Sequence, residues 1–231
     1  YRRSTLVQKY GRAKAEDIVS NRLFHSDHKK DDTYKKELLG RDVSRFYVKW
    51  NNKSWVSYGP WLAHAVDKRF FQGPRLVIQK LRNPTLKQRL VVGYLDDNET
   101  YSAGVLLNAI LKEKVDYNLF YLIGILNSKA INYWYRKCII DVSIRVVDLA
   151  KVPIYKVNFS NKSDLFKHDR MVELVERMLE LHQKLPGTEG AEKKQIEQLI
   201  ARTDREIDAL VYELYGLTEE ERAIVEEATS R

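Results

Sequence analysis

The 231-residue chain is 44% hydrophobic and 11% aromatic, enough to build one large or two small packed cores, which excludes a disordered segment. Its net charge of +8 is unevenly spread: residues 1–90 carry 21 Lys and Arg against 8 Asp and Glu, residues 91–160 carry 8 against 7, and residues 161–231 carry 11 against 17. A basic half joined to an acidic tail suits a polyanionic partner for the first part; a merely Lys-rich surface is the plainer alternative. The longest apolar runs are too short to span a bilayer, and a single cysteine, Cys138, allows no intrachain disulfide, so the reading is a soluble, cytoplasmic protein without a membrane partner. The chain opens on Tyr1 with no apolar leader behind it and is read as a fragment of a longer protein.

Residues 1–36 are strongly polar, with Ser26 to Asp32 reading as a loop, and are expected to be a linker or the edge of a preceding domain. Strands follow at Phe46-Tyr47-Val48 and Trp55 to Tyr58, separated by the turn Asn51-Asn52-Lys53. Pro60-Trp61-Leu62 predicts a helix start, and Phe70 to Pro74 its end. Two further strands, Arg75 to Leu81 and Arg89 to Leu95, flank the break at Asn83-Pro84. Asp96-Asp97-Asn98 reads as a turn, and Tyr101 as the start of a short extended piece. A helix is predicted from about Asn118 to Tyr135, with Asn127-Ser128-Lys129 as an interrupted or exposed turn within it. Residues 139–155 return to extended structure and close at Val152-Pro153-Ile154.

The tail changes period. Leu165, Val172, Val175, Met178, Leu179, His182 and Leu185 share one helical face, stopped by Pro186-Gly187. Ile196, Leu199, Ile200, Thr203, Ile207, Leu210, Val211 and Leu214 form a second stripe. Two such helices predict an antiparallel hairpin, packed on itself or on a missing domain, with Thr218 capping a short last helix. The fold class is therefore α+β: a mixed, β-rich unit with packed helices, then a helical hairpin.

Catalytic patterns are sparse. The chain has no Gly-rich phosphate loop. His25 and His28 lie three apart in a polar loop without further ligands, so a zinc site there competes with plain solvation. Asp27-His28-Lys29 and Glu192-Lys193-Lys194 are the nearest approaches to a metal-dependent nuclease set, in a linker and on an exposed helix start. Cys138 reads as a small buried residue. Cationic and amide side chains do gather: Gln79, Lys80, Arg82, Asn83, Lys87, Gln88 and Arg89 crowd one predicted turn, and these residue types can read base edges or hold phosphates. An ordinary solvated hairpin tip is the alternative. Tyr133, Trp134 and Tyr135 are read as packing rather than base-stacking residues.

The order of segments resembles one family, the TaqI-like C-terminal specificity domain, the target-recognition domain of adenine-specific DNA methyltransferases and fused restriction–modification enzymes. The resemblance lies in Leu38-Leu39-Gly40-Arg41-Asp42-Val43-Ser44-Arg45-Phe46-Tyr47, Trp61-Leu62, Phe71-Gln72-Gly73-Pro74-Arg75-Leu76-Val77-Ile78, the aspartate turn after the next strand, and Leu126-Asn127-Ser128-Lys129-Ala130-Ile131-Asn132-Tyr133-Trp134-Tyr135-Arg136 ahead of Val152-Pro153-Ile154. The closing Glu213 to Glu221 is similar to tails that follow such domains. This implies that residues 37–160 read double-stranded DNA, that residues 1–36 border a missing N-terminal catalytic domain, and that residues 161–231 are a spacer or docking hairpin. Base readout is assigned to the Gln79 to Arg89 set, and phosphate contacts to Arg41, Arg45, Lys53, Lys129, Arg136, Lys137 and Arg145. The family's catalytic Asn-Pro-Pro-aromatic motif is not matched, because Asn83-Pro84 is followed by Thr85-Leu86. No cofactor is therefore expected in this fragment; S-adenosylmethionine, and Mg for a fused endonuclease, are implied for an N-terminal methyltransferase domain and its companions in the same protein. Two alternatives stay open: a protein-interaction module of a multisubunit DNA-modification or phage-defence complex acting through residues 165–214, and a nuclease.

Overall fold

The computed structural model describes residues 3–229 as an α+β fold of two mixed four-stranded sheets, flanking helices and a closing helical hairpin. Helices α1 (Arg3–Tyr10) and α2 (Arg12–Ser20) occupy the stretch expected as a linker or domain edge. Leu6, Ala15 and Ile18 bury one another there, with Phe24 and Ala63 alongside, in a small satellite core. Lys9 and Tyr10 of α1 donate to the carbonyls of Pro60, Leu62 and Trp61. Those carbonyls are the acceptors that a helix opening at Pro60 needs, and the helix predicted there does not form. A turn takes its place, followed by a 3-10 turn at Lys68–Phe71.

The first sheet runs β1 (His25–Ser26), β4 (Trp55–Ser57), β2 (Tyr34–Leu38), β7 (Thr100–Ser102), with β2 and β7 parallel. The second runs β3 (Phe46–Tyr47), β6 (Val92–Asp97), β5 (Gly73–Gln79), β8 (Leu106–Ala109), with β3 and β6 parallel. The last strand, β8, lies outside the predicted set. Gly93 is required where it stands, opposite Phe46, because a Cβ there would lie 2.8 Å from the Tyr47 carbonyl oxygen. Arg75 is wholly buried and fastens the end of β6: its Nη1 donates to the carbonyls of Gly73 and Asp97, and its Nη2 to Asp97 Oδ1 and the Thr100 carbonyl. Burial opposes ionisation of Asp97, but the hydrogen bonds from Thr100 and Arg75 outweigh it and hold this carboxyl below its ordinary range.

The helix predicted over 118–135 is two helices, α3 (Leu119–Asn127) and α4 (Lys129–Cys138). The chain breaks at Ser128, which leaves helical geometry at ψ 155° and caps α4 by accepting from the Ile131 N–H. Of the interrupted or exposed turn expected here the interruption is present and the exposure is not, since Asn127, Ser128 and Asn132 are completely buried. Asn127 accepts from the Val92 N–H at 3.1 Å and donates to the Val92 carbonyl at 2.8 Å, one residue before β3 begins its pairing with β6 at Gly93. Asn132 accepts from the Leu90 N–H at 2.7 Å. Two amide side chains thus stand in for a missing strand, satisfying backbone groups that burial cuts off from water. Tyr135 is fully buried and Trp134 packs against the same core, in keeping with packing roles.

Residues 139–155 differ from the extended run expected. A single bridge pairs Leu81 with Ser143, and α5 (Val146–Leu149) follows. The tail forms α6 (Lys162–Lys184), a 3-10 turn through Pro186, α7 (Gly190–Leu214) and α8 (Glu219–Thr229), the last opened by a reciprocal Thr218–Glu221 capping pair. Met171, Leu174, Val175, Met178, Ile207, Leu210 and Val211 share one core with Leu76, Ile78, Tyr121, Ile123, Ile125 and Ile131. The hairpin is therefore laid on α3 and the second sheet of its own chain, and Leu165 and Leu199 of the predicted stripes stay exposed. Gly124 permits this approach, since a Cβ there would collide with the Met171 sulfur.

Candidate nucleic-acid interface

Three connections meet beyond the C-terminal end of β5: residues 40–54, 80–91 and 139–147. Side chains expected to read bases hold them together. Gln79 Nε2 donates to the carbonyls of Gly40 (2.8 Å) and Val43 (2.7 Å), and its Oε1 accepts from Arg82 Nη1 at 2.5 Å. Arg82 Nε and Nη2 both donate to the Gln88 carbonyl, at 3.0 and 2.8 Å. Gln88 Nε2 donates to the Leu90 carbonyl. Arg89 is completely buried, donating to the carbonyls of Arg82 and Asp141 with its guanidinium over the Tyr135 ring. Burial lowers the pKa of both arginines, yet guanidinium stays charged in proteins. Gln79, Arg82, Gln88 and Arg89 are therefore engaged as braces, and of the four only Arg89, with no exposed surface, leaves the set expected to read bases. They carry the right chemistry for base edges, but the loops' own backbone carbonyls use it first.

The rest of that set sits at the surface. Asn83 is exposed at the tip, its Oδ1 accepting from the Thr85 N–H and hydroxyl, and Lys87 is exposed beside it. Lys80 is half-buried and lines a cleft of about 630 Å³ between the two sheets.

The cations assigned to phosphates divide in the same way. Arg45 forks onto Asp204 of α7, at 2.8 and 2.6 Å, and donates to the Asn127 carbonyl at 3.0 Å. Lys129 places its N–H on Asp208 at 2.8 Å and its Nζ on Glu226 of α8 at 2.6 Å. Arg136 Nη1 donates to the Ala228 carbonyl at 2.8 Å. These three tie the terminal helices to the rest of the chain, so the phosphate contacts expected of them compete with partners they already hold. Arg145 is exposed but forks onto Asp148, whose carboxyl it holds below the usual range. Lys137 is exposed, its ammonium 5.6 Å from the Tyr133 ring.

Arg41 and Lys53 stay displayed on the 40–54 connection, joined by Lys49, which no sequence pattern had singled out. Buried Asp42 makes this connection rigid. Its carboxylate accepts from the Leu39 N–H and the Asn51 amide, and its carbonyl accepts from the Lys49 N–H at 2.8 Å. Three exposed cations on a braced loop form a surface that can follow a phosphate backbone.

Elsewhere, His25 pairs with Glu37 at 2.9 Å and His28 with Asp27 at 2.6 Å. Among the described residues no group of three or more His, Cys, Asp or Glu side chains converges as a metal-ligand set. Cys138 is exposed, not buried as expected. No helix among the described residues is long and apolar enough to cross a membrane.

No curated protein matches the chain in direct sequence comparison. A family profile does: the TaqI-like C-terminal specificity domain covers residues 35–154, just over half of the chain, and takes in all three braced connections. Buried Arg75, Asn127 and Asn132 and part-exposed Asp97 lie within the matched span, on the segments that carried the resemblance. The chain belongs to the family of TaqI-like C-terminal specificity domains, units that serve DNA sequence specificity in restriction–modification enzymes.

Proposed function

We propose that this chain selects the double-stranded DNA sequence acted on by a restriction–modification enzyme, an adenine-specific methyltransferase with or without a fused endonuclease. The observation that supports this reading best is the braced set of loops, inside the family segment, that displays Arg41, Lys49, Lys53, Asn83 and Lys87. Cations on the 40–54 connection set the register on the phosphates, while the 83–87 tip is presented to base edges by a scaffold that does not need to reorganise. Methyl transfer belongs to an N-terminal domain of the same protein, which binds S-adenosylmethionine and supplies its methyl group; a metal such as Mg serves any endonuclease part. The residues present in this chain do not fit that cofactor chemistry: Asn83-Pro84 is the one Asn-Pro pair of the chain, it continues as Thr85-Leu86, and its amide oxygen is taken by Thr85. A second domain gripping the duplex is what a methyltransferase needs when its target base must leave the stack. The alternative of an interaction module acting through residues 165–214 loses its basis, because most of that apolar surface is buried against the chain's own core.

The test is a salt series of binding to a random duplex. Affinity falls steeply with salt, and Arg41→Ala and Lys53→Ala each reduce the slope of log K against log salt by about 1, alike on all sequences. Absence of DNA binding at low salt contradicts the proposal.

A further inference from the structure

Leu81, Ile140, Val142, Val146 and Val147 are each more than half exposed, Ile140 at 81%. In the same stretch Ile139 and Ile144 turn into the core, so the outward set is not a loose loop with nowhere to pack. The Leu81–Ser143 bridge, the Arg82 N–H on the Val142 carbonyl and the Ile144 N–H on the Lys80 carbonyl set Leu81 against the 142–144 segment, and Val146 and Val147 follow directly on α5; buried Arg89 holds the Asp141 carbonyl. An aliphatic ridge of this size on a fixed backbone marks a contact surface. Its surroundings identify the partner: residues 80–90 and 136–151, which carry the ridge, hold eight Lys and Arg against two Asp and Glu. Of these, Lys87, Lys137, Arg145 and Lys151 are exposed against one exposed carboxylate, Asp141, and a net basic rim around an apolar centre fits a polyanion that also offers apolar groups.

Resting on the proposed role in DNA recognition, we infer that this ridge enters the major groove of the DNA and reads thymine methyl groups. The major groove admits a two-stranded segment such as the 81–143 pairing, whereas the minor groove is about half as wide. Of the four standard bases thymine alone presents a methyl there, and aliphatic side chains are its natural contact. The ridge thus supplies an apolar share of sequence readout beside the polar tip at Asn83 and Lys87.

The experiment selects a site from a randomised duplex library with the whole chain, then compares wild type and the Val146→Ser/Val147→Ser double variant on three duplexes. These are the selected site, the same site with every thymine replaced by uracil, and a scrambled sequence. Wild type should lose about tenfold in affinity on the uracil duplex. The variant should lose a similar factor on the thymine duplex and no more on the uracil one, with the scrambled duplex unaffected. Val146→Ile/Val147→Ile should keep the preference, and all forms should melt alike, since these side chains lie outside the core. Equal wild-type binding to the thymine and uracil duplexes, an unimpaired Ser variant, or a selected site without thymine overturns the inference alone. A library in which wild type enriches nothing overturns the functional reading with it.

Discussion

Replacing Asn127 by Ala removes the carboxamide that serves both backbone groups of Val92 and nothing else in the sheet. Val92 is completely buried, so its N–H and carbonyl, now at 3.1 and 2.8 Å from the Asn127 side chain, would have no water to turn to. Each orphaned group costs about 1–3 kcal/mol, giving a loss of about 2–6 kcal/mol for the two. That is a large share of the roughly 5–15 kcal/mol that keeps a typical domain folded. At about 2–4 °C per kcal/mol for a chain of this size, the midpoint of thermal unfolding should drop by about 4–24 °C. Urea unfolding followed by circular dichroism, with Asn83→Ala at the exposed tip as a control, measures the difference. A change below about 0.5 kcal/mol, or one no greater than that of the control, would refute the view that Asn127 replaces a strand.

Arg45 and Asp204 should couple by about 1–3 kcal/mol in a double-mutant cycle of urea unfolding, since their fork ties the sheet unit to α7; strict additivity would show that the hairpin docks without it. Asp208 has its pKa raised to about 6, chiefly by burial, with Asp204 adding to the effect and Arg45 and Lys129 opposing it. The folded state therefore keeps a proton that the unfolded chain has already lost, and the stability this confers disappears as pH rises from about 4 to about 6. Wild type should lose up to about 3 kcal/mol relative to Asp208→Asn across that window, and parallel pH profiles would contradict the assignment. Arg82→Ala frees both Gln79 and the Gln88 carbonyl, so it should relax sequence preference more than it weakens binding to random duplex. Equal losses on selected and scrambled duplexes would remove Arg82 from any positioning role.

Local chemistry explains what could be read from the sequence. The strand segments that became β3 to β6, the Pro186-Gly187 stop and the Thr218 cap are signals carried within a few residues, and each lies close to where it was expected. The motif around Asn127 and Asn132 pointed to the family, but its reason is a pairing with Val92 and Leu90 some 35 and 42 positions away, which no local pattern shows. Distance also hides the partners of the expected site residues. Arg45, Lys129 and Arg136 look like free cations until Asp204, Glu226 and the Ala228 carbonyl arrive from 159, 97 and 92 residues downstream. Gln79 and Arg89 crowd a turn in the sequence and are drawn inward because the turn's own carbonyls need donors. Residues 1–36 read as a linker because their apolar side chains are few and spread out, and Leu6, Ala15 and Ile18 come together only once α1 and α2 fold against each other. The exposed ridge at Ile140 to Val147 looked like a strand for the same reason that it is informative: aliphatic β-branched residues are usually buried, and in this ridge they are not.

The central claim is that this chain carries sequence preference in its own right. Binding it to a randomised duplex library at two salt concentrations and sequencing the retained DNA tests that directly. Enrichment of one short motif that persists at the higher salt is the predicted result. Retention that vanishes with salt and enriches no motif would mean that the chain contributes charge alone, which contradicts the claim.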